Sequence, residues 1–411
     1  MNLSYFISKR ISNQQQGGFS GTIHKIGIVS IAIGLAALIV SFLIMKGFQE
    51  TVKNKIYNFS GHLIVKKLTP GNSMEDAPMY YNLDLYNHPE KYEHVSHVQE
   101  YAHKAGLIKT DEEILGVVVK GVGTSFAKNL FQENIIEGEF LNFPDSGYSN
   151  EVVLSKVIAD KLDIKLNSDI LIHFFQNPPR VRKLTVKGIY ETNLTEYYDS
   201  KIILGDIRMI ARLNDWRDSI AGGLEVFVDD INYIDDVGFS VAEEMDYNVD
   251  TFDLTIERIS DNFYQVFEWL NLLSRQVNFL LIIILTVVCV NMISIVLILV
   301  MERTQMIGML KALGAKDRLI RSIFIYQGVN LVLKGLFWGN LIGLGLCYIQ
   351  SSFKIIALNP KDYYMDVVPV SWHWEIVGAL NVIVLLVITL VLLLPTIVVS
   401  RISPIKAIRF D

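Results

Sequence analysis

The residues that could perform acid–base or metal chemistry are scattered along the chain rather than grouped in a motif. The histidines lack a ligand spacing such as H-E-x-x-H; six of them are His62, His88, His94, His97, His103 and His173. The aspartates at 229, 230, 235 and 236 suggest calcium, but they lack the spacing and the glycine of an EF-hand loop. We therefore predict no catalytic residue and no metal site, and we interpret these aspartates as a solvated acidic face.

Nucleotide and redox chemistry are equally unsupported. The sequence contains no G-x-x-x-x-G-K-[ST] loop to hold phosphates, so we expect no ATPase site and no bound cofactor in this chain. Cys289 and Cys347 lie inside apolar runs, and their spacing fits neither a zinc nor a redox motif. Any ATP-driven work would need a partner subunit that binds the ATP.

The composition of the chain predicts one part embedded in a membrane and one part in water. With 411 residues, 51% of them hydrophobic, the chain is too apolar for an ordinary soluble protein and too charged for a pure membrane bundle. Four apolar runs are long enough to span a bilayer, at residues 23–45, 277–300, 320–349 and 376–399. The first is too long for a signal peptide and lacks a cleavage site after it. We predict an integral membrane protein with four transmembrane helices and a large extracytoplasmic mixed α/β domain.

The charge distribution predicts how these parts are oriented. Residues 1–25, 301–322 and 400–411 carry 11 Lys and Arg against 3 Asp and Glu, a net charge of +8. Residues 46–276 carry 23 against 37, a net charge of −14. Positive loops stay in the cytoplasm, so we expect both termini inside and residues 46–276 outside. A membrane surface explains the basic patches, which disfavours nucleic-acid binding.

This orientation divides the chain into nine segments. Between the spans we place an N-terminal interfacial helix (1–22), a periplasmic domain with stalk helices (46–276), a coupling loop (301–319), a short periplasmic loop (350–375) and a cytoplasmic tail (400–411). Strand-like runs in the periplasmic domain predict a sheet, at His62–Leu68, Ile114–Val122, Glu151–Ser155, Ser168–Phe175, Lys183–Tyr190, Lys201–Leu204 and Leu224–Val228. Helical patterns occur at Lys156–Leu162 and Ile207–Leu213.

The stretch from Met301 to Phe324 is basic and amphipathic. It holds five Lys and Arg against two acids. Its apolar residues recur at i, i+3, i+4 and i+7 along one helix face, at Met306, Met309, Leu310 and Leu313. Gly314 follows where such a helix would end. A helix at this position, joined to two spans, can pass force to a partner; a loop that only obeys the positive-inside rule is the alternative.

The sequence of this stretch resembles a segment of a known family. ERTQMIGMLKALGA resembles the ERxxEIGxLKALGA segment of the FtsX/MacB-type ABC permeases, with Met306 where that family usually has Glu. The resemblance implies that this loop docks on a separate ABC ATPase subunit. The residues that it implicates are Glu302, Arg303, Ile307, Gly308, Leu310, Lys311, Ala312 and Gly314.

Further matches extend over nearly the whole chain and are most similar to the Lol lipoprotein-releasing permeases. They include MKGF after the first span, DYYMDVVPV (Asp362–Val370) before the last span and RISPIKAIRF at the end. The resemblance implies a bacterial inner-membrane permease that extracts outer-membrane lipoproteins and passes them to a periplasmic carrier. It also implies a second permease subunit, identical or different. A MacB-type efflux permease and an FtsX-like regulator of wall hydrolases are the alternatives.

Two groups of residues are candidates for contact with the cargo and its carrier. Met45, Phe48 and Phe279 could line an apolar mouth between the first and second spans that admits acyl chains; a permanently closed packing interface is the alternative. A short loop resembles in position the hook by which a Lol permease holds the carrier, but a plain hairpin turn is the favoured interpretation; its residues are Gln176, Pro178, Pro179 and Arg180.

The spans themselves carry two further patterns. Small residues recur along one stripe of the first span, which lets another helix approach closely, within the chain or in a dimer; they are Gly27, Ser30, Gly34, Ala37 and Ser41. Lys334 lies inside the third span. A central lysine costs about 2.5–3.5 kcal/mol on insertion scales, so it should face a cavity, a partner or water.

Overall fold

The computed structural model describes residues 19–69, 75–110, 113–246 and 253–395. The predicted C-terminal tail, most of the predicted interfacial helix and the end of the fourth span lie outside these residues. The chain forms two compact units. A helical unit comprises Met1–Glu50, Trp269–Ala357 and Val367–Asp411, as far as these residues are described. A sheet unit comprises Thr51–Glu268 and Leu358–Asp366.

Four helices are long and apolar enough to cross a membrane, as predicted. In chain order the helices are α1 (Phe19–Ser60), α2 (Asp84–Asn87), α3 (Lys128–Phe131), α4 (Lys156–Lys161), α5 (Ile207–Leu213), α6 (Ile234–Asp246), α7 (Ile259–Asn262), α8 (Tyr264–Glu302), α9 (Thr304–Ala312), α10 (Asp317–Phe353), α11 (Pro360–Tyr363) and α12 (Trp374–Val391). The four long helices are α1, α8, α10 and α12. Because α1 and α8 are much longer than a bilayer needs, each continues well beyond its apolar run.

Small residues set the packing of the helical unit. A methyl group added at Gly335 or Gly339 of α10 would collide with Ile31 or Leu35 of α1. The stripe on α1 packs in the same way against α8, because a methyl group at Gly34 would lie 3.0 Å from Val288. In this stripe Ser30 also accepts a hydrogen bond from Asn291 (2.8 Å). The stripe therefore serves packing within the chain, one of the two predicted uses.

A pair of amides joins α10 to α12. Asn340 and Asn381 donate to each other's side-chain oxygen, at 2.7 and 2.9 Å. Each amide nitrogen also donates to the carbonyl four residues earlier in its own helix, at Leu336 and Val377. Every amide hydrogen of the pair thus has an acceptor, which matters in a lipid environment because an unpaired polar group is costly there.

The sheet unit is built on a ten-stranded mixed sheet. The strands are β1 (Leu63–Lys67), β2 (Met79–Tyr80), β3 (Val95–Lys109), β4 (Ile114–Val122), β5 (Ile135–Gly138), β6 (Glu151–Ser155), β7 (Asp169–Phe174), β8 (Arg180–Tyr190), β9 (Ile202–Asp206), β10 (Ile220–Ala221), β11 (Gly223–Val228) and β12 (Leu254–Arg258). The strand order is β12-β1-β11-β3-β4-β9-β6-β8-β5, and β7 lies off this path, where it pairs with both β3 and β8. Strands β10 and β2 form a separate two-stranded sheet. Only β4–β9 and β6–β8 are parallel among the described pairs.

Each predicted strand and both predicted helices of this unit are present within a few residues. The prediction omitted five strands, of which β3 is the longest at 15 residues. The segment Leu358–Asp366 also belongs to the sheet unit. It is held there by Lys55, whose ammonium donates to the carbonyls of Thr192 (2.8 Å) and Tyr364 (2.9 Å).

Candidate functional site

The predicted coupling stretch forms the short helix α9 between α8 and α10. Its inner side is anchored in the core of the helical unit, where Ile307 is 0% exposed and Gly308 is buried. Met306 and Leu310 pack partly against the same core. The outer side presents apolar side chains to solvent, with Met309 exposed and Leu313 83% exposed. The helix is present where it was predicted, but the four residues of the predicted apolar stripe divide between the core and the surface.

The end of α9 is fixed by a turn and an ion pair. Gly314 has φ +90°, a left-handed conformation that ends a helix at little cost only for glycine. The ammonium of Lys311 lies 3.0 Å from the carboxylate of Asp317, the first residue of α10. This pair spans the turn, so Lys311 helps to hold α9 against the start of α10.

A basic hollow lies beside this turn. It is a shallow cavity of about 420 Å³ with an open mouth, lined by Gly314, Ala315, Lys316, Arg318, Leu319 and Ser322. The Nε groups of Arg303 and Arg321 are buried without a hydrogen-bond partner within the described part of the chain. The cations that line the hollow and face solvent are Lys316 and Arg318, so its surface is suited to an acidic partner.

The predicted coupling residues therefore occupy three environments. Glu302, Ala312 and Gly314 are exposed, while Arg303, Leu310 and Lys311 are half-buried and Ile307 and Gly308 are buried. The exposed Met309 and Leu313 were absent from the predicted contact set. Their spacing placed both residues on the predicted apolar stripe. Spacing alone does not show which residues of the stripe are covered by the core and which are left exposed.

The structure does not bring the three predicted mouth residues to one surface. Met45 and Phe48 are buried, and the ring of Phe48 lies edge-on to Trp269 of α8 at 5.3 Å. The next residue, Gln49, donates to the carbonyl of Leu270 (2.8 Å). Phe279 is 66% exposed. It belongs to an apolar exposed face of α8 that also holds Ile282, Ile283, Val287 and Val290.

The predicted carrier loop connects β7 to β8. Its base is fixed, because Arg180 donates to the carbonyl of Arg212 (2.9 Å) and forms an ion pair with Asp215 (2.9 Å). Gln176 donates to the carbonyl of Leu213 (3.1 Å). Pro178 and Pro179 form an exposed tip. Two of the four predicted residues are thus presented to solvent, and two hold the loop in place.

Several of the histidines and aspartates that were considered as candidates make contacts within the sheet unit. His94 accepts or donates a hydrogen bond with Asp229 (3.0 Å), and Asp235 pairs with Arg258. Asp230 accepts from the backbone amide of Asn232 (2.9 Å). Among the residues that the structure describes, no group of three His, Cys, Asp or Glu lies close enough to hold a metal ion.

Comparison with known proteins gives the class to which this arrangement belongs. Residues 27–229 match the MacB-like periplasmic core domain, and residues 278–404 match the FtsX-like permease C-terminal domain. Together these matches cover most of the chain and include α9 with both flanking helices. The chain therefore belongs to the FtsX/MacB type of ABC transporter permeases. This family implies an ABC ATPase partner and a second permease subunit.

Within this class the chain is similar over its length to two lipoprotein-releasing permeases. It is 21% identical to the lipoprotein-releasing system transmembrane protein LolC of Xylella fastidiosa, covering 100% of this chain and 98% of that protein. It is 23% identical to LolE of Haemophilus influenzae, covering 95% and 94%. The crystal structure of the periplasmic region of MacB from Actinobacillus actinomycetemcomitans is 14% identical, with a TM-score of 0.37 over 54% of this chain and 97% of that one.

Proposed function

We propose that this chain is the permease subunit of an ABC transporter that extracts lipoproteins from the bacterial inner membrane and hands them to a periplasmic carrier. The observation that carries the proposal is the similarity to LolC and LolE along the whole chain, rather than along one shared domain. On this proposal the α9 end faces the cytoplasm, as the positive charge of residues 301–322 requires. The sheet unit then lies in the periplasm.

In this scheme the ATPase docks on the exposed side of α9. Met309 and Leu313 supply apolar contact, and acidic groups of the ATPase pair with the exposed Lys316 and Arg318 of the basic hollow. Ile307 transmits the motion because it is embedded in the core of the helical unit. The ATP that powers release is bound by the partner, so this chain needs no cofactor.

The cargo sets a large energetic demand. At about 0.8 kcal/mol per buried CH₂, an acyl chain of about 16 carbons is held in the bilayer by roughly 12 kcal/mol. The exposed apolar face of α8 around Phe279 offers such a chain a surface inside the membrane. Met45 and Phe48 are buried, and Phe48 contacts Trp269 of α8, so a movement of α1 against α8 would be needed to expose Phe48. The tip at Pro178 and Pro179 is the surface for the carrier.

The proposal is tested by reconstituting the chain with its ATPase and second permease in vesicles that contain an acylated lipoprotein. We expect ATP-dependent transfer of the lipoprotein to a soluble carrier, and co-purification of acylated protein with the complex. A complex that instead retains a periplasmic tunnel protein, or a cell-wall hydrolase, and releases no lipoprotein would contradict the proposal.

A further inference from the structure

One exposed ridge of α10 is polar over its first half. Residues four positions apart share such a ridge, and here they are Arg318, Ser322, Tyr326, Asn330 and Lys334. From Arg318 to Lys334 the ridge extends about 24 Å at 1.5 Å per residue. Beyond Lys334 the same side of the helix becomes apolar, with Phe337, Trp338 and Leu341 at least half exposed. The boundary between polar and apolar surface therefore lies at Lys334.

Two side chains at this boundary have no partner among the described residues. Lys334 and Asn330 are both exposed, and neither side chain makes a hydrogen bond or ion pair in the part of the chain that the structure describes. By contrast, Asn340 of the same helix is matched by Asn381. An ammonium and an amide side by side offer several donors to one acceptor-rich ligand.

The packing of α10 on α1 gives the depth of Lys334. Gln327 of α10 donates to His24 of α1 (3.3 Å), and Gly335 of α10 lies against Ile31 of α1. Residues of α10 therefore lie at the same height as residues of α1 whose numbers are lower by 303 to 304. The apolar run of α1 lies between Lys25 and Lys46, which are about 32 Å apart along a helix and so match the hydrocarbon thickness. The level of Lys25 corresponds to position 329 of α10. Lys334 is therefore only about 8 Å inside the hydrocarbon boundary.

The direction of the Lys334 side chain allows its ammonium to reach the hydrocarbon boundary. Helical side chains tilt toward the N-terminus of their helix, which for Lys334 is the Arg318 end. A lysine with a long apolar stem places its ammonium at the interface in this way. Asn330 lies one turn nearer to the surface, at the level of the headgroups. Lys334 is thus a residue of the interface, rather than a charge at the centre of the third span.

We propose that Lys334 and Asn330 bind the phosphate of an anionic phospholipid in the leaflet at the Arg318 end of α10. The acyl chains of this lipid lie along Phe337, Trp338 and Leu341, and Arg318 adds positive potential nearer the aqueous side. The identification of that leaflet as cytoplasmic rests on the proposed function, whereas the site itself does not. A second copy of this chain is a poorer occupant, because its four apolar runs contain no Asp or Glu to meet Lys334.

The position of Trp338, one turn beyond Lys334, supplies the readout. The full chain is reconstituted in phosphatidylcholine vesicles that contain either brominated phosphatidylglycerol or brominated phosphatidylcholine, and tryptophan quenching is measured. Subtracting the Trp338→Phe variant isolates the contribution of Trp338 from the other four tryptophans. We expect half-maximal quenching at an about fivefold lower fraction of the anionic lipid than of the zwitterionic lipid.

Matched variants assign this preference to the site. Lys334→Gln and Asn330→Leu should reduce it, and Lys334→Arg should retain it. Lys354→Gln removes an exposed lysine at the other end of the same helix and should leave it intact. Equal quenching by both lipids in the unmodified protein would overturn the proposal. So would an equal loss in Lys354→Gln, or carbodiimide coupling of Lys334 to a protein carboxylate without any lipid preference. The assay needs neither ATPase nor lipoprotein, so its failure is separate from failure of the proposed function.

Discussion

At the scale of single residues, the sheet unit depends on charges buried at its centre. Lys120 of β4 is 1% exposed and lies 2.7 Å from Glu225 of β11. The other oxygen of Glu225 accepts from Gln99 of β3 (2.7 Å). Lys120 also donates to the carbonyl of Phe59, in the last turn of α1, and lies over its ring at 4.6 Å. A cation there complements the negative end of the helix dipole.

Breaking this buried pair should be more damaging than replacing it. Glu225→Gln leaves the Lys120 ammonium without its counter-charge, so we expect a loss of about 3–5 kcal/mol in unfolding free energy. The double variant Lys120→Met with Glu225→Leu should recover much of this loss. The measurement is denaturant unfolding of the full chain in detergent, followed by circular dichroism. Lys66→Met, which breaks the half-exposed pair with Glu257, is the control and should cost less than about 1 kcal/mol. Equal losses in Glu225→Gln and Lys66→Met would contradict this account.

A half-buried histidine should make the stability of the sheet unit depend on pH. Burial lowers the pKa of His62 from 6.5 to about 4, and its Nδ1 accepts a hydrogen bond from the amide of Val228 (3.2 Å). The unfolded chain takes up this proton near pH 6.5 and the folded chain only near pH 4. Stability is therefore complete above about pH 6.5 and falls by roughly 3 kcal/mol as the pH drops through this window.

The test compares thermal unfolding between pH 7.5 and 4.5 for the unmodified chain and for His62→Gln. We expect the variant to be less stable at pH 7.5 but to lose less on acidification. His173→Gln, at an exposed position on β7, serves as the control and should follow the unmodified chain. A pH dependence that is the same for all three proteins would exclude His62 as its source.

At the scale of elements, α9 combines an anchor with a contact surface. Because Ile307 is embedded and Leu313 is exposed, the two functions can be separated by mutation. Leu313→Asp places a charge on the surface alone, so we expect the permease to fold and insert normally. We expect its association with the ATPase to weaken by about tenfold or more, because a buried leucine contact would be lost.

Pull-down of the ATPase and its permease-stimulated turnover measure this effect. Leu68→Asp changes another exposed leucine, in the sheet unit, and should have no effect on either. Ile307→Asp should differ from both, because it should reduce the yield of folded permease. Full ATPase binding by Leu313→Asp would place the docking surface elsewhere.

At the scale of the whole molecule, release of cargo should require movement of α1 against α8. These helices are joined at Gln49, whose amide reaches Leu270, and at the Phe48–Trp269 contact. In a background in which Cys289 and Cys347 are replaced by alanine, Phe48→Cys and Trp269→Cys allow the two helices to be joined by a reducible bifunctional reagent. We expect the joined complex to bind the ATPase but to stop releasing lipoprotein, and we expect release to recover on reduction.

The control joins α10 to α12 through Asn340→Cys and Asn381→Cys, where the helices are already held by reciprocal amides. That linkage should leave release unchanged. Undiminished release from a fully joined α1–α8 complex would show that the lipid chains take another route.

The sequence by itself determined the membrane architecture and the place of α9. A bilayer requires about 20 apolar residues per helix, a condition so strict that the four spans follow from hydropathy alone. The strands β4 and β6 and the helix α5 were likewise predicted with their observed bounds, because their patterns are local. The position of α9 was predicted from the family resemblance of its sequence and from Gly314, which ends the helix.

Tertiary structure alone decided three other features. Strand β3 escaped prediction because it buries Gln99, Glu100 and Lys104, whose partners are distant in sequence. The division of α9 into Ile307 inside and Leu313 outside depends on how the long helices pack, which periodicity cannot show. The depth of Lys334 depends on its register against α1. In each case a side chain acquires its role from a neighbour brought close only by folding, and one chain segment does not contain that information.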